Sequence, residues 1–175
     1  MDDSCTRKGK TCKEHIAHLA QKQSDKRLLI LDVLSLVEVI MENWNKKLLT
    51  AAGDGNVKDV NICLENKADI DYQNEYGGTA LMEAAWDGHL EICKLLIDTG
   101  CKIDITDEDG RTALMEAAWD GHLEICKLLI DTGCKIDITT EYGQTALIWA
   151  ADGGHLEICR LLIDGGCKID ITTNE

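Results

Sequence analysis

The 175-residue chain contains no phenylalanine and no proline, and aromatic residues make up only 4% of it. Its core must therefore be built from aliphatic side chains, alanine and cysteine, and helix stops fall to its 15 glycines. No stretch reaches the roughly 18 unbroken apolar residues of a membrane span, and the polar N-terminus lacks a secretory pattern. Positive charge is scarce as well, with 18 Lys and Arg against 32 Asp and Glu and a formal net charge of −14. Residues 1–45 hold seven of each sign, so the acidic excess falls wholly on residues 46–175. Nucleic-acid phosphates want a basic stripe, and anionic membranes attract basic segments. No nucleic acid and no membrane is expected as a partner; a basic protein or peptide is.

What the chain does have is one block written out twice. Thr79 to Thr106 reads TALMEAAWDGHLEICKLLIDTGCKIDIT, and Thr112 to Thr139 repeats it letter for letter, 33 residues on. A diverged copy, TALIWAADGGHLEICRLLIDGGCKIDIT, runs from Thr145 to Thr172. A worn first copy lies around Lys46–Gln73, with Ala51 and Ala52 in register with Ala84 and Ala85. A fixed period of roughly 20–50 residues means a stacked array, because one such unit cannot bury its own apolar face.

Each unit reads as two helices and an arm. Thr79 is placed to cap a first helix whose Leu81, Ala84 and Ala85 share a face, kept thin by alanine so that a neighbour can come close. Gly88 supplies a left-handed stop. The second helix carries Ile92, Leu95 and Leu96 on one stripe with Cys93 and Ile97 beside it, which implies burial against more than one partner. Gly100 ends it, Lys102–Thr106 alternates as an extended arm would, and Asp109-Gly110 fits a tight turn. His89, His122 and His155 recur at the turn between helices. A structural hydrogen bond explains a thrice-copied histidine better than catalysis does.

The string Gly-x-Thr-x-Leu-x-x-Ala-Ala-x-x-Gly-His-Leu-Glu-Ile, in a 33-residue helix–turn–helix unit with a β-turn arm, resembles the ankyrin repeat. The resemblance covers about Lys46 to Glu175. It departs from the family pattern where Pro would follow Thr (Ala80, Ala113 and Ala146) and where His would follow Leu (Met82, Met115 and Ile148). The resemblance implies an all-α ankyrin-repeat solenoid: repeats at about 45–73, 74–106, 107–139 and 140–175, the first atypical. A polar tail over 1–24 and an N-terminal helix over 25–44 precede it. That helix, rich in Leu, Val and Ile, is read as a cap on the first repeat, with a dimerisation or partner helix as the alternative. The third arm ends the sequence without a polar final repeat, leaving Ile158, Leu161 and Leu162 without cover on one side. The expectation is accordingly a fragment of a longer array, or an end covered by a partner or by another copy of the chain, with self-association there or through the N-terminal helix.

The nine cysteines are an odd number in a frame unlike that of small secreted proteins. Cys93, Cys126 and Cys159 share one repeat position, and Cys101, Cys134 and Cys167 another. Packed helices lie about 8–10 Å apart, beyond the roughly 7 Å that a disulfide bridges between Cα atoms. These read as reduced, buried thiols in an intracellular, cytoplasmic setting. Cys5, Cys12, His15 and His18 are zinc-type ligands at spacings that fit no familiar finger, so no metal is expected. Asp107-Glu108-Asp109-Gly110 echoes a calcium loop whose first ligand position would fall on Ile105. No phosphate loop, nucleophile motif or cofactor-binding motif is present.

With no catalytic residues and no cofactor implied, the expectation is a non-catalytic protein–protein interaction module. The alternative is a regulatory or structural segment of a larger protein whose activity lies elsewhere. In ankyrin-like domains partners usually meet the arm tips and the concave face of the first helices. Carried over, the tips are Glu75, Tyr76, Glu108, Asp109, Arg111, Glu141, Tyr142 and Gln144. The helix positions are Glu83, Trp86, Asp87, Glu116, Trp119, Asp120, Trp149 and Asp152. All three indoles are expected on one strip, either as anchors for an Arg- or Lys-bearing segment or as half-buried gap fillers.

Overall fold

A computed structural model of the chain describes residues 44–169. The described chain opens in helix (α1, 44–53) and continues through α2 (Val57–Glu65), α3 (Ala80–Trp86), α4 (Leu90–Thr99), α5 (Ala113–Trp119), α6 (Leu123–Asp131), α7 (Ala146–Asp152) and α8 (Leu156–Asp164). These form four helix pairs with no strand among the described residues. The array is the expected all-α solenoid. None of the described helices is long and apolar enough to cross a membrane. The tail expected over 1–24 and the capping helix expected over 25–44 lie outside the described residues, Trp44 of α1 excepted.

The first helices α3, α5 and α7 stack most closely, and α2, α4, α6 and α8 form a second row behind them. Short side chains explain the first row. In α3, Ala80, Ala84 and Ala85 are buried with Leu81 and Met82, and α5 buries the same set. Each first helix begins at a threonine whose hydroxyl accepts an amide hydrogen bond three residues on, from Met82, Met115 and Ile148 in turn.

Histidine joins the repeats. The Nε2 of His89 lies 2.8 Å from the Gly53 carbonyl, and His122 and His155 reach the carbonyls of Trp86 and Trp119 at 2.9 Å. Each ring thus bonds a carbonyl at the end of the preceding first helix, a group that has no partner within its own helix. The turn must also be glycine. Gly88 has φ +79°, and a Cβ there would come within 2.5 Å of the His122 ring. The first pair lacks this link in its own turn: Asn56 stands in the histidine position and instead caps α2, accepting from the Asp59 amide.

A second ladder runs along the arms. Asp71, Asp104 and Asp137 each accept the backbone N–H of a lysine in the next repeat, Lys102, Lys135 and Lys168, at 2.8 Å. The arms are therefore not extended strands. A turn occupies Ile103 and Asp104, and a carboxylate takes the amide that a strand would pair with a neighbour. The residue alternation reflects burial of Ile103 and Ile105 against the core, without a β ladder.

Two further expectations are corrected at the last repeat. Ile158 and Leu162 are 2% and 0% exposed, because they face inward; the open side carries Leu156, Ile163 and Ile169, at 61%, 45% and 67%. Their counterparts Leu123, Ile130 and Ile136 are half-buried, since another repeat lies beyond them. Cys159 is half-buried for the same reason, whereas Cys93 and Cys126 are fully buried. All the described thiols are free. Burial pushes Cys93 and Cys126 up to about 12, away from the reactive thiolate.

Two tests follow from this packing. A thiol reagent should label Cys93 and Cys126 at the rate of unfolding and Cys159 well before them, read by peptide mass spectrometry; equal rates would contradict the burial order. Lys67 occupies the position of Gly100 and is held at φ 65°. Relieving that left-handed strain with Lys67→Gly should raise stability by about 0.5–1 kcal/mol in urea unfolding, after the added chain entropy of glycine is subtracted. A loss of stability would show that the lysine conformation is not strained.

Candidate functional site

Each arm tip is a small hairpin closed by a side chain. Asn74 Oδ1 accepts from the amides of Tyr76 and Gly78, and Asp107 Oδ1 from those of Asp109 and Arg111. Backbone bonds from Glu108 to Tyr76 and from Glu141 to Asp109, both 3.0 Å, stack the tips in order. Glu75, Glu108, Asp109 and Glu141 are exposed there, and Tyr76 and Tyr142 are 68% and 63% exposed. Arg111 and Gln144 fold back half-buried toward the first helices.

Arg111 is the one cation among the sixteen sequence-predicted residues. Its Nε stands 3.0 Å from Asp107 Oδ2, a second nitrogen pairs with Asp109, and Nη1 lies 3.8 Å from Glu116 Oε1. Glu116 is only 6% exposed. Its other oxygen, Oε2, is buried and makes no hydrogen bond. Burial raises its carboxyl to about 7; Arg111 opposes the rise, while Asp107, Glu83 and Asp120 add to it. Glu116 lines a cleft of about 280 Å³ together with Glu83, Trp86 and Met82 of the preceding repeat and with Asp107 and Arg111. Glu83, the same residue one repeat earlier, is half-buried and is raised by burial and then by Asp87.

Beyond this cleft the indoles gather. Trp86, Trp119 and Trp149 line a hollow of about 380 Å³ with Arg111, Gln144 and Asp152. Trp119 and Trp149 meet edge to face, centroids 5.7 Å apart at 69°. Trp149 is half-buried, and its indole N–H donates to Gln144 Oε1 at 3.3 Å. Trp86 and Trp119 remain 39% and 41% exposed. Asp87, Asp120 and Asp152 are exposed at or beyond the ends of their helices. The strip expected from the register of the three tryptophans is thus present in the structure.

The family model "Ankyrin repeats (3 copies)" matches residues 18–107, 48–140 and 99–174. The chain belongs to the ankyrin-repeat family. Among curated proteins, no match is found. Ankyrin repeats are in general protein–protein interaction modules.

Sequence reasoning missed part of this ankyrin face. A groove of about 1000 Å³ between the first two repeats is lined by residues including Lys46, Thr50, Asp54, Tyr72 and Gln73, besides the expected Glu75, Glu83 and Asp87. Divergence of the first copy hid these positions, although Thr50 sits at the register of Glu83 and marks the same helix face. Asp107 was likewise absent from the expected set; an Asp opening an Asp-x-x-Gly turn is the signal that points to it. Among the described residues, no three His, Cys, Asp or Glu are grouped to hold a metal ion.

The raised Glu116 carboxyl fixes the sign of a pH effect. Its folded value of about 7 exceeds the usual 4.5, so the unfolded chain loses this proton first as pH rises. Its contribution to stability is greatest at acid pH and is lost as pH rises through about 7. Glu116→Gln removes the effect. The variant should gain about 1–2 kcal/mol over wild type between pH 5 and pH 8 in urea unfolding. A difference that stays constant with pH would show that the carboxyl is not displaced.

Proposed function

We propose that this ankyrin-repeat chain is a non-catalytic binding module that holds a basic segment of a partner protein. The segment lies on the acidic, tryptophan-bearing face formed by the arm tips and first helices. One observation carries the reading: three indoles gather around a single hollow, with a carboxylate-lined cleft beside it. Such a surface offers an Arg or Lys side chain an aromatic face and an opposite charge within one short stretch of chain. The excess acid of residues 46–175 draws a basic partner in from a distance. Free, buried thiols at Cys63, Cys93 and Cys126 support work in a reducing, intracellular compartment.

The test uses a fluorescein-labelled hexa-arginine peptide. Trp86→Ala and Trp119→Ala should each weaken its binding by about 1–2 kcal/mol, the size of an interface hot spot. Their unfolding free energies should fall by less than the ~3–5 kcal/mol of a core tryptophan. Asp87→Lys and Asp120→Lys should slow association and flatten its salt dependence. Equal binding by folded Trp→Ala proteins would remove the strip as the site. Unfolding losses of core size would assign the indoles to gap filling.

A further inference from the structure

Two side-chain atoms of this face are buried and make no hydrogen bond, Arg111 Nε and Glu116 Oε2. Glu116 sits at the centre of the middle repeats, more than nine-tenths buried, and its Oε2 has no hydrogen-bond partner. Arg111 does not fill the need. It reaches Glu116 only through Oε1, at 3.8 Å; another nitrogen bonds Asp109, and its Nε, ion-paired with Asp107 at 3.0 Å, makes no hydrogen bond of its own. A buried, unpaired carboxylate oxygen is costly, and folding alone gives it no return. The groups facing it are one cation, Arg111, and three acids: Asp107 from the tip, Glu83 from the preceding first helix and Asp120 from its own. The local balance is negative, and the cleft opens beside the Trp86 ring.

Resting on the basic-partner reading above, we propose that the Glu116 cleft is a subsite for one cationic side chain of the partner, and that filling it is coupled to loss of the Glu116 proton. The incoming guanidinium or ammonium pairs with the Glu116 carboxylate as it turns Oε2 toward the cleft, and rests its apolar stem against Met82 and Trp86. Only the carboxylate accepts a cation there. At neutral pH, with the carboxyl at about 7, roughly half of the free protein carries a proton that must leave to solvent. Affinity therefore rises with pH across the neutral range. Exposed carboxylates could not produce this, because they are ionised throughout it.

N-acetylated, C-amidated hexa-arginine and hexa-lysine peptides are suitable probes, since with the α-amino group blocked neither changes charge between pH 6 and pH 8. With wild-type protein at constant ionic strength, binding should be about tenfold weaker at pH 6 than at pH 8. Calorimetry in buffers of different ionisation enthalpy should report about half a proton released at pH 7. Glu116→Gln should bind at the weak, pH 6 level throughout and release no proton. Its profile also accounts for any other group titrating in the range. Carboxyl-carbon NMR of wild type supplies a check that needs no variant: the Glu116 titration near pH 7 should move to lower pH when peptide is added. The tighter peptide identifies the head group as guanidinium or ammonium. If wild type binds peptide with no pH dependence, or Glu116→Gln binds as well as wild type, the subsite is overturned while the basic-partner reading stands. If neither peptide binds at any pH, both fall together.

Discussion

The bond from each turn histidine back to the previous repeat governs how this molecule is put together. It does two things with one ring. Nε2 meets a carbonyl that the end of a short helix would otherwise leave unpaired, and the ring face covers a glycine whose backbone is left-handed. Neither partner is useful alone: a side chain at that glycine would strike the ring, and without the ring the carbonyl would be stranded at a repeat junction. The junction fixes the spacing between first helices, and alanine-rich faces then allow α3, α5 and α7 to close on one another. The aspartate-to-amide bonds do for the arms what histidine does for the turns. With both ends of every repeat tied, the tips and the first helices form one continuous surface.

That surface shows how position in an array can change chemistry without any change in sequence. Glu83 and Glu116 sit in identical 28-residue blocks. One is half-buried; the other is enclosed, with a carboxyl raised to about 7. The differences come from the neighbours. Behind Glu116 stand the Trp86 and Met82 of a full repeat, and at its tip Arg111 takes the place of Gly78. Behind Glu83 stands the worn first copy, with Thr50 and a wide groove. The thiols vary in the same way, enclosed at Cys93 and Cys126 and partly open at Cys159.

The features visible in the sequence were those repeated in it. The period, the threonine caps, the glycine stops and the structural role of His89, His122 and His155 each depend on local geometry or on a partner at constant offset, so three copies announce them. The indole strip was visible for the same reason, as a register of Trp86, Trp119 and Trp149. What escaped notice depends on which neighbour is present. The burial of Glu116, the outward face of Leu156 and Ile163 in place of Ile158 and Leu162, and the groove beside Thr50 and Tyr72 are properties of a junction. The arms were misread because alternating residues satisfy a β pattern even when carboxylates have taken the amide hydrogens. The expected helix over 25–44 falls outside the described residues.

The exact duplication of the middle repeats bears on how the chain finds its fold. During folding, the helices of residues 79–106 and 112–139 present the same faces to any partner, so each can dock where the other belongs. Such a slip by a whole unit keeps the hydrogen bonds of the docked block and ejects one repeat as a loop, a misassembly to which repeat proteins are prone. The same degeneracy allows two chains to exchange blocks and lock as a pair. The worn first copy differs from the repeated block at most positions and the last at six, but the two middle repeats differ only in their tips, where Asn74, Tyr76 and Gly78 answer to Asp107, Asp109 and Arg111. These odd residues serve as the address labels of the array. Arg111, anchored to Asp107 and Asp109 beside Glu116, forms with them the label that separates two otherwise interchangeable blocks.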